Sequence, residues 1–166
     1  MAGARARPLP FDPVAEARGH WERAGWAEAA PGMAAVTSIM RAQQVLLARI
    51  EEVLRPHGLS FARYEVLMLL SFSRTGALPL ARLGERLQVH PASVTNLVDR
   101  LTAAGLVSRV AHPSDRRATL VELTPDGRRI AESIAGARTT QAETIFAELS
   151  PTDRRHLVRI LARLRD

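Results

Sequence analysis

Apolar residues recur at helical spacing along most of the chain, so the pattern predicts a mainly helical protein. Runs rich in β-branched residues are confined to two short segments in the second half. Capping residues such as Ser60, Thr124 and Ser150 mark where three of the helices begin. We predict strands over residues 107–111 and 118–123, and helices over residues 12–28, 33–55, 60–73, 80–87, 91–104, 124–149 and from 150 onward.

The N-terminal segment carries both tryptophans of the chain. Residues 1–10 are expected to form a disordered basic arm, because such a composition buries little apolar surface. The helix at 12–28 holds Trp21 and Trp26 and is expected to end at residues 30–32. Five residues apart on one helix, the two indoles point about 140° away from each other. One should pack inward, and the other should face a partner subunit or a crevice.

The helix at 91–104 has one apolar and one polar face. Pro91 suits its first position, and Gly105 suits the left-handed position just after its end. The apolar stripe, at i, i+3, i+4 and i+7, consists of Val94, Leu97, Val98 and Leu101. The outward side chains, which are of types that read or grip DNA in a major groove, are Ser93, Thr95, Asn96 and Arg100.

A two-turn helix at residues 80–87 and a turn at 88–90 precede this helix. Together they have the arrangement of a helix-turn-helix, in which the second helix enters the groove and the first crosses the DNA backbone. Arg82 and Arg86 of the first helix would then meet phosphates. An ordinary amphipathic helical hairpin without DNA binding is the alternative, because the fold alone does not dictate its use.

Two short strands, joined by a loop at residues 112–117, follow the helix pair. The loop carries Asp115, Arg116 and Arg117. In the simplest interpretation, these residues form a solvated charge cluster. The alternative is that the loop enters a minor groove of DNA, because an arginine loop beside a recognition helix has the geometry to do so. Helix pair and hairpin together predict a winged helix-turn-helix lobe. The fold class is mostly α with a small β-wing (α+β), with a helical dimerisation region beside the lobe.

The segment from Leu80 to Gly127 resembles the MarR family of bacterial regulators. The resemblance rests on the recognition helix SVTNLVDRL, the GLV entry to the wing, the DRR wing tip and the LTPDG start of the next helix, and it extends from about Met33 onward. It implies an obligate homodimer with two winged lobes, which represses genes until a small molecule binds.

The same resemblance assigns roles to individual residues. It implies that Arg116 enters the minor groove, that Asp115 and Arg117 brace the wing, and that the four outward residues of the 91–104 helix read the major groove. The family pattern has an acidic residue and an arginine before the DRR tip, where this chain has His112, Pro113 and Ser114. We therefore expect fewer phosphate contacts from this wing.

Three terminal helices lie outside the lobe, and each has an apolar stripe that one protomer cannot easily bury. We therefore predict that the first long helix and the last two interlock with a second copy, and a monomeric helical cap is the alternative. The predicted organisation is a disordered arm at 1–10, a helical extension at 11–32, dimerisation helices at 33–58 and 124–166, and the DNA-binding lobe at 59–123.

Composition narrows the function. The formal net charge is +6 and all 23 basic residues are arginines, which suits a polyanionic partner such as double-stranded DNA. Cysteine is absent, and the sequence has no signal peptide, no apolar run long enough for a membrane span, no phosphate-binding glycine loop and no nucleophile motif. We expect a cytoplasmic protein without enzyme activity, metal, cofactor or membrane partner. A protein-interaction or architectural DNA-binding module without a ligand is the alternative function.

The resemblance implies a small-molecule effector in the crevice between the dimerisation helices and the lobe. By position, the candidate contacts are Arg41, Arg49, Arg63, Tyr64 and Met68. The N-terminal helix also resembles that of the urate-responsive branch of the family. Trp21, Glu65 and Arg109 of this chain match the ligand residues of that branch in kind, as an aromatic residue, an acid and an arginine of the wing strand. The fourth ligand residue of that branch is an arginine, and it is Leu97 here. Urate is therefore not expected, and the sequence does not identify the effector.

Overall fold

The computed structural model describes residues 10–112, 114–115 and 118–165, so the predicted arm at 1–10 lies almost wholly outside the described residues. The chain forms two compact units, one ending at Ala48 and the other beginning at Arg49. Its elements in chain order are α1 (Pro13–Arg23), α2 (Ala30–Leu54), a 3₁₀ turn (Arg55–His57), α3 (Phe61–Ser71), β1 (Ala77–Pro79), α4 (Leu80–Leu87), α5 (Pro91–Ala103), β2 (Val107–Ala111), β3 (Thr119–Leu123), α6 (Pro125–Ile145) and α7 (Pro151–Ala162).

The boundary between α1 and α2 differs from the prediction. The Asp12 side chain accepts a hydrogen bond from the Val14 N–H at 2.9 Å and begins α1, which ends at Arg23 instead of residue 28. Gly25, with φ of 91°, turns the chain. Helix α2 then begins at Ala30, so the predicted stop at residues 30–32 is wrong. Proline is tolerated there because N–H groups in the first turn of a helix have no intrahelical partner.

This shorter α1 changes the arrangement of the tryptophans. Trp21 lies on α1 and is half-buried, whereas Trp26 lies beyond its end and is 57% exposed. The two rings contact each other, with centroids 5.0 Å apart and planes tilted by 54°. The prediction that they diverge by about 140° is wrong because they do not share a helix.

The second unit contains an apolar core that centres on α3. Ser60 caps this helix by accepting a hydrogen bond from the Arg63 N–H. Val66, Leu67 and Leu70 are fully buried, and they pack with apolar residues from the helix pair, the sheet and α6. The members of this core from outside α3 include Leu54, Leu83, Val94, Val98, Leu101, Val107, Val121, Ala131 and Ile134.

A three-stranded antiparallel sheet stands where the sequence predicted a two-stranded hairpin. The strand order is β1-β3-β2, so β3 is central, and Val121 faces Leu78 on one side and Arg109 on the other. Strand β1 was missed because three residues are too few to show a period. Strand β2 has the predicted bounds, and β3 begins at Thr119, one residue later than predicted.

The backbone is closely packed where the end of α5 meets the start of α6. Gly105 adopts the predicted left-handed conformation, with φ of 71°. The Thr124 hydroxyl donates to the Gly105 carbonyl at 2.8 Å and accepts from the Gly127 N–H at 3.0 Å. A Cβ atom at Gly127 would lie 2.0 Å from the Leu106 carbonyl oxygen, so no other residue fits at this point without moving the backbone.

Helix α6 ends at Ile145, four residues before the predicted end. The Arg154 guanidinium donates to the carbonyls of Phe146 at 2.7 Å and Leu149 at 3.2 Å. These carbonyls follow the end of the helix and have no partner within it. Ser150 then caps α7 through the Asp153 N–H, as predicted. In the part of the chain that the structure describes, no helix is both long and apolar enough to cross a membrane.

Candidate nucleic-acid interface

The outer face of α5 presents the predicted groove-reading residues to solvent. The helix is fixed from below by Val94, Val98 and Leu101, which are buried in the core. The four outward residues, all exposed, are Ser93, Thr95, Asn96 and Arg100. Asn96 Oδ1 accepts a hydrogen bond from Arg100 Nε at 3.1 Å, so these two side chains are held together before any DNA binds.

Helix α4 has the predicted bounds and precedes the turn at residues 88–90. Gln88 adopts a left-handed conformation there, with φ of 54°. Arg82 is exposed and pairs with Glu85 at 2.9 Å, whereas Arg86 is exposed on the side of α4 that faces α3. Both arginines that were predicted to meet phosphates are thus exposed, and Arg86 also lines the groove between α4 and α3.

The base of the wing is tied to the recognition helix. Arg109 of β2 forms an ion pair with Asp99 of α5, with Nη1 and Oδ1 2.5 Å apart. Its Nη2 also donates to the Thr95 carbonyl at 3.5 Å. The structure thus places Arg109, predicted as an effector residue, in contact with two residues of α5.

His112 holds the described part of the wing loop. Its Nδ1 accepts hydrogen bonds from the N–H groups of Ser114 at 3.3 Å and Asp115 at 3.2 Å. These hydrogen bonds stand where the family pattern has different residues, and they fix the backbone at Ser114 and Asp115. Arg116 and Arg117 lie outside the described residues, and their predicted roles stay predictions.

Several predicted effector residues come together on α3. Tyr64, Glu65 and Met68 line a groove of about 210 Å³ between α3 and α4. The other residues that line it are Phe61, Leu69, Phe72, Arg86 and Leu87. Burial raises the pKa of the Glu65 carboxyl and of the Tyr64 hydroxyl, and the positive charge of Arg138 opposes both shifts.

Other predicted contacts lie elsewhere. Arg63 donates through Nε to the Ser60 hydroxyl at the start of α3, and Arg49 lies exposed on α2, where its carbonyl accepts a hydrogen bond from the Gln141 amide. Arg41 is exposed on α2 in the first unit. In the same unit Trp21 borders a hollow of only about 10 Å³, roughly the space of one water molecule.

Arg138 of α6 lies beside two of the predicted effector residues and was not predicted from the sequence. Its guanidinium carbon lies 5.4 Å from the Phe61 ring centroid and 5.5 Å from that of Tyr64. Its Nη1 is buried and has no hydrogen-bond partner among the residues described. A buried charged donor without a partner is costly, which makes this group a candidate to bind an anion.

Comparison with known proteins agrees with this architecture. The MarR family model matches residues 59–119. Sco5413, a MarR family transcriptional regulator of Streptomyces coelicolor, is 45% identical; the match covers 81% of this chain and 93% of Sco5413, with a TM-score of 0.70. The chain belongs to the MarR family.

Two further MarR relatives carry more specific names. The transcriptional repressor YetL of Bacillus subtilis is 29% identical over 115 residues, which cover 69% of each chain. BpsR of Bordetella bronchiseptica, whose DNA binding is regulated by 6-hydroxynicotinic acid, is 29% identical, covering 78% of this chain and 91% of that one, with a TM-score of 0.71. The protein is therefore a winged-helix, DNA-binding transcriptional regulator of the MarR type.

Proposed function

We propose that this protein is a dimeric repressor, which binds an inverted-repeat operator and releases it when a small molecule occupies the groove on α3. One observation carries the proposal: the polar face of α5 is wholly exposed beside a wing, while its apolar face is fixed in the core. This presents a rigid reading surface of the size that a major groove admits. We place its action in the cytoplasm.

Dimerisation is supported by apolar surface that the protomer leaves uncovered. On α7 the exposed apolar side chains are Leu157, Val158 and Ile160, and Leu164 is exposed just beyond its end. Helix α2 likewise exposes Val36, Ile39, Met40 and Val45. Faces of this kind are self-complementary in two-fold dimers, and a second copy of the chain would cover them.

The two-fold axis of such a dimer predicts the form of the operator. Two copies of α5 would enter successive major grooves, so the half-sites should lie about 10 bp apart, centre to centre. Arg116 is proposed for the minor groove, with Asp115 and Arg117 bracing the wing, while Arg82 and Arg86 contact phosphates. These assignments rest on the family pattern and on the exposure of the residues that the structure describes.

Release by a small molecule is supported by the groove on α3 and by BpsR. The groove brings Tyr64, Glu65 and Met68 together next to α4, the first helix of the DNA-binding pair. In BpsR, which is 29% identical, an organic acid regulates DNA binding. A ligand that binds one arrangement of α3 and α4 better than another would shift the population away from the DNA-binding form.

Footprinting and anisotropy titration on the DNA upstream of its own gene test the proposal. A dimer should protect two half-sites, and Arg116→Ala should weaken binding strongly at AT-rich flanks while the melting temperature stays unchanged. Arg159→Ala, on the exposed face of α7, serves as the matched control because it also removes one positive charge. Protection of a single half-site, or equal losses in the two variants, would contradict this operator model and favour architectural binding.

A further inference from the structure

The hydrogen bond between Asn96 and Arg100 fixes how the Asn96 amide is oriented. Arginine has donors and no acceptor, so Asn96 must turn its oxygen toward Arg100 and not its nitrogen. Arg100 Nε lies 3.1 Å from Oδ1 accordingly. Both residues are exposed on the outer face of α5, so this contact determines which of their polar atoms remain for DNA.

The atoms that remain are mainly donors. Asn96 keeps Nδ2, and Arg100 keeps Nη1 and Nη2, none of which has a hydrogen-bond partner among the residues described. Asp99 is the acidic neighbour of Arg100 in the chain, but its carboxylate pairs with Arg109 of β2. The charge of Arg100 is therefore available to an outside partner, together with the two nitrogens at the end of its guanidinium.

Thr95, on the same face of α5, has the opposite character. Its hydroxyl donates to the Pro91 carbonyl at 3.2 Å and so uses its one hydrogen within the helix. To DNA it can offer only oxygen lone pairs and a methyl group. The donors of this part of the face are thus concentrated on Asn96 and Arg100.

The position of Arg100 favours a base over a phosphate as its target. Side chains of a helix lean toward its N-terminus, so Arg100 extends over the turn that holds Asn96. Its bond to Asn96 keeps the guanidinium there. In helix-turn-helix proteins, the first residues of the recognition helix are the ones that contact base edges.

We propose that Arg100 reads a guanine in each operator half-site through Nη1 and Nη2, and that Asn96 is a positioning residue that holds Arg100. Guanine presents two acceptors in the major groove, N7 and O6, which match two arginine donors. Asn96 would read adenine only if Oδ1 accepted from the adenine amino group, and that contact competes with Arg100 for the same oxygen. The inference deepens the proposed reading of an operator by α5 and rests on it.

Single replacements of guanine by 7-deazaguanine test the role of Arg100. The analogue keeps its pairing with cytosine and lacks the N7 acceptor. The probe is a fluorescein-labelled duplex that spans the footprint upstream of the protein's own gene, with one guanine of one half-site replaced at a time. Wild-type protein should lose about 10-fold in affinity at one guanine, because a hydrogen bond to a charged donor is lost there.

Arg100→Ala should bind the guanine and 7-deazaguanine duplexes equally at that position. Arg159→Ala is the matched control, because it removes one positive charge from the exposed face of α7 and should keep the discrimination. Both arginines are exposed, so both variants should melt at the wild-type temperature. If Arg100→Ala weakens the two duplexes alike and keeps the discrimination, Arg100 contacts a phosphate and its reading role is wrong.

Two variants of Asn96 should have opposite effects. Asn96→Ala removes the acceptor that holds Arg100, so discrimination at the same guanine should fall by about 2- to 10-fold. Asn96→Asp keeps an oxygen for Arg100 and should preserve the discrimination, while its negative charge weakens binding to both duplexes alike. In the Arg100→Ala protein, Asn96→Ala should change the discrimination no further, because Asn96 acts through Arg100.

The remaining outcomes separate this inference from the proposed operator. Asn96→Ala that loses discrimination between adenine and 7-deazaadenine, with or without Arg100, would show that Asn96 reads adenine and overturn its positioning role. A footprint of two half-sites without any Arg100-dependent guanine would overturn the reading role and keep the operator model. An Arg100-dependent guanine in a single protected half-site would support the inference and contradict the inverted repeat.

Discussion

Helices α5 and α7 are of similar length and have the same kind of apolar stripe, yet the protomer treats them differently. Val94, Val98 and Leu101 of α5 are between 0% and 1% exposed, whereas Ile160 of α7 is 53% exposed. No residue within α7 is buried. Periodicity therefore predicts that a face will be covered, but the surrounding chain decides whether the covering group lies in the same molecule.

The two stripes therefore contribute to different stabilities, that of the folded lobe and that of the association with another surface. The stripe of α5 stabilises the folded lobe and thereby fixes the face that is proposed to read the groove. The stripe of α7 can contribute only when another surface meets it, so its contribution depends on protein concentration. Variants in the two stripes should fail in different assays.

The largest effect is expected from Leu101→Ala in α5. Removing a fully buried leucine side chain should cost about 2–5 kcal/mol of folding free energy through lost burial and a residual cavity. Chemical denaturation at a fixed protein concentration measures this loss. A change below about 0.5 kcal/mol would show that the stripe of α5 is less critical than its burial indicates.

A charge in the stripe of α7 tests whether that stripe is covered by a second copy of the chain. Ile160→Asp places a carboxylate in the apolar face, and we expect the proposed dimer to dissociate in light scattering at micromolar concentration. Arg159→Asp, its exposed neighbour, changes the charge by more and should leave the mass unchanged. A variant at Ile160 that remains dimeric would move the subunit interface away from α7.

The exposed arginines of the two helices should also differ in their effect on operator binding. If Arg100 of α5 reads a base pair as proposed, Arg100→Ala should cost about 1–3 kcal/mol of operator binding at that base pair, because its side chain supplies directional donors. Arg159→Ala on α7 should change operator affinity little. Anisotropy titrations with matched and altered half-sites distinguish base reading from loss of charge, since a lost phosphate contact weakens all sequences alike.

The smallest effect concerns the ion pair between the wing and α5. Arg109 and Asp99 are 33% and 55% exposed at their side chains, so their coupling should be about 0.2–1 kcal/mol. A double-mutant cycle with Arg109→Gln and Asp99→Asn measures it, with operator affinity as a second readout. Zero coupling in both readouts would leave the wing and the helix energetically independent.

Much of the fold could be predicted because local signals agree with the final packing. Helix α4 and strand β2 have the predicted bounds, and Ser60, Thr124 and Ser150 cap the helices they were expected to cap. Strand β1 could not be predicted, because three residues form a strand only when β3 supplies the hydrogen bonds.

The candidate sites divide in the same way. The outward face of α5 follows from helical periodicity, so Asn96 and Arg100 could be placed from sequence. Arg138 could not, because the rings that surround it belong to a helix more than seventy residues earlier in the chain. The tryptophan pair was misplaced for a related reason, since a turn at Gly25 brings together two rings that one helix would have separated.

The glycine junction at the start of α6 has a mechanical consequence. Because Gly127 leaves no room between α6 and the Leu106 carbonyl, we expect a tilt of α6 to move Leu106, which follows the end of α5. Arg138 lies eleven residues from this pivot and Ser93 twelve residues from Gly105, so both lever arms are about 16–18 Å long. If the two helices move as rigid arms, we expect a shift of about 1 Å at Arg138 to reach Ser93 as a shift of about 1 Å, which is enough to misalign a hydrogen bond to DNA.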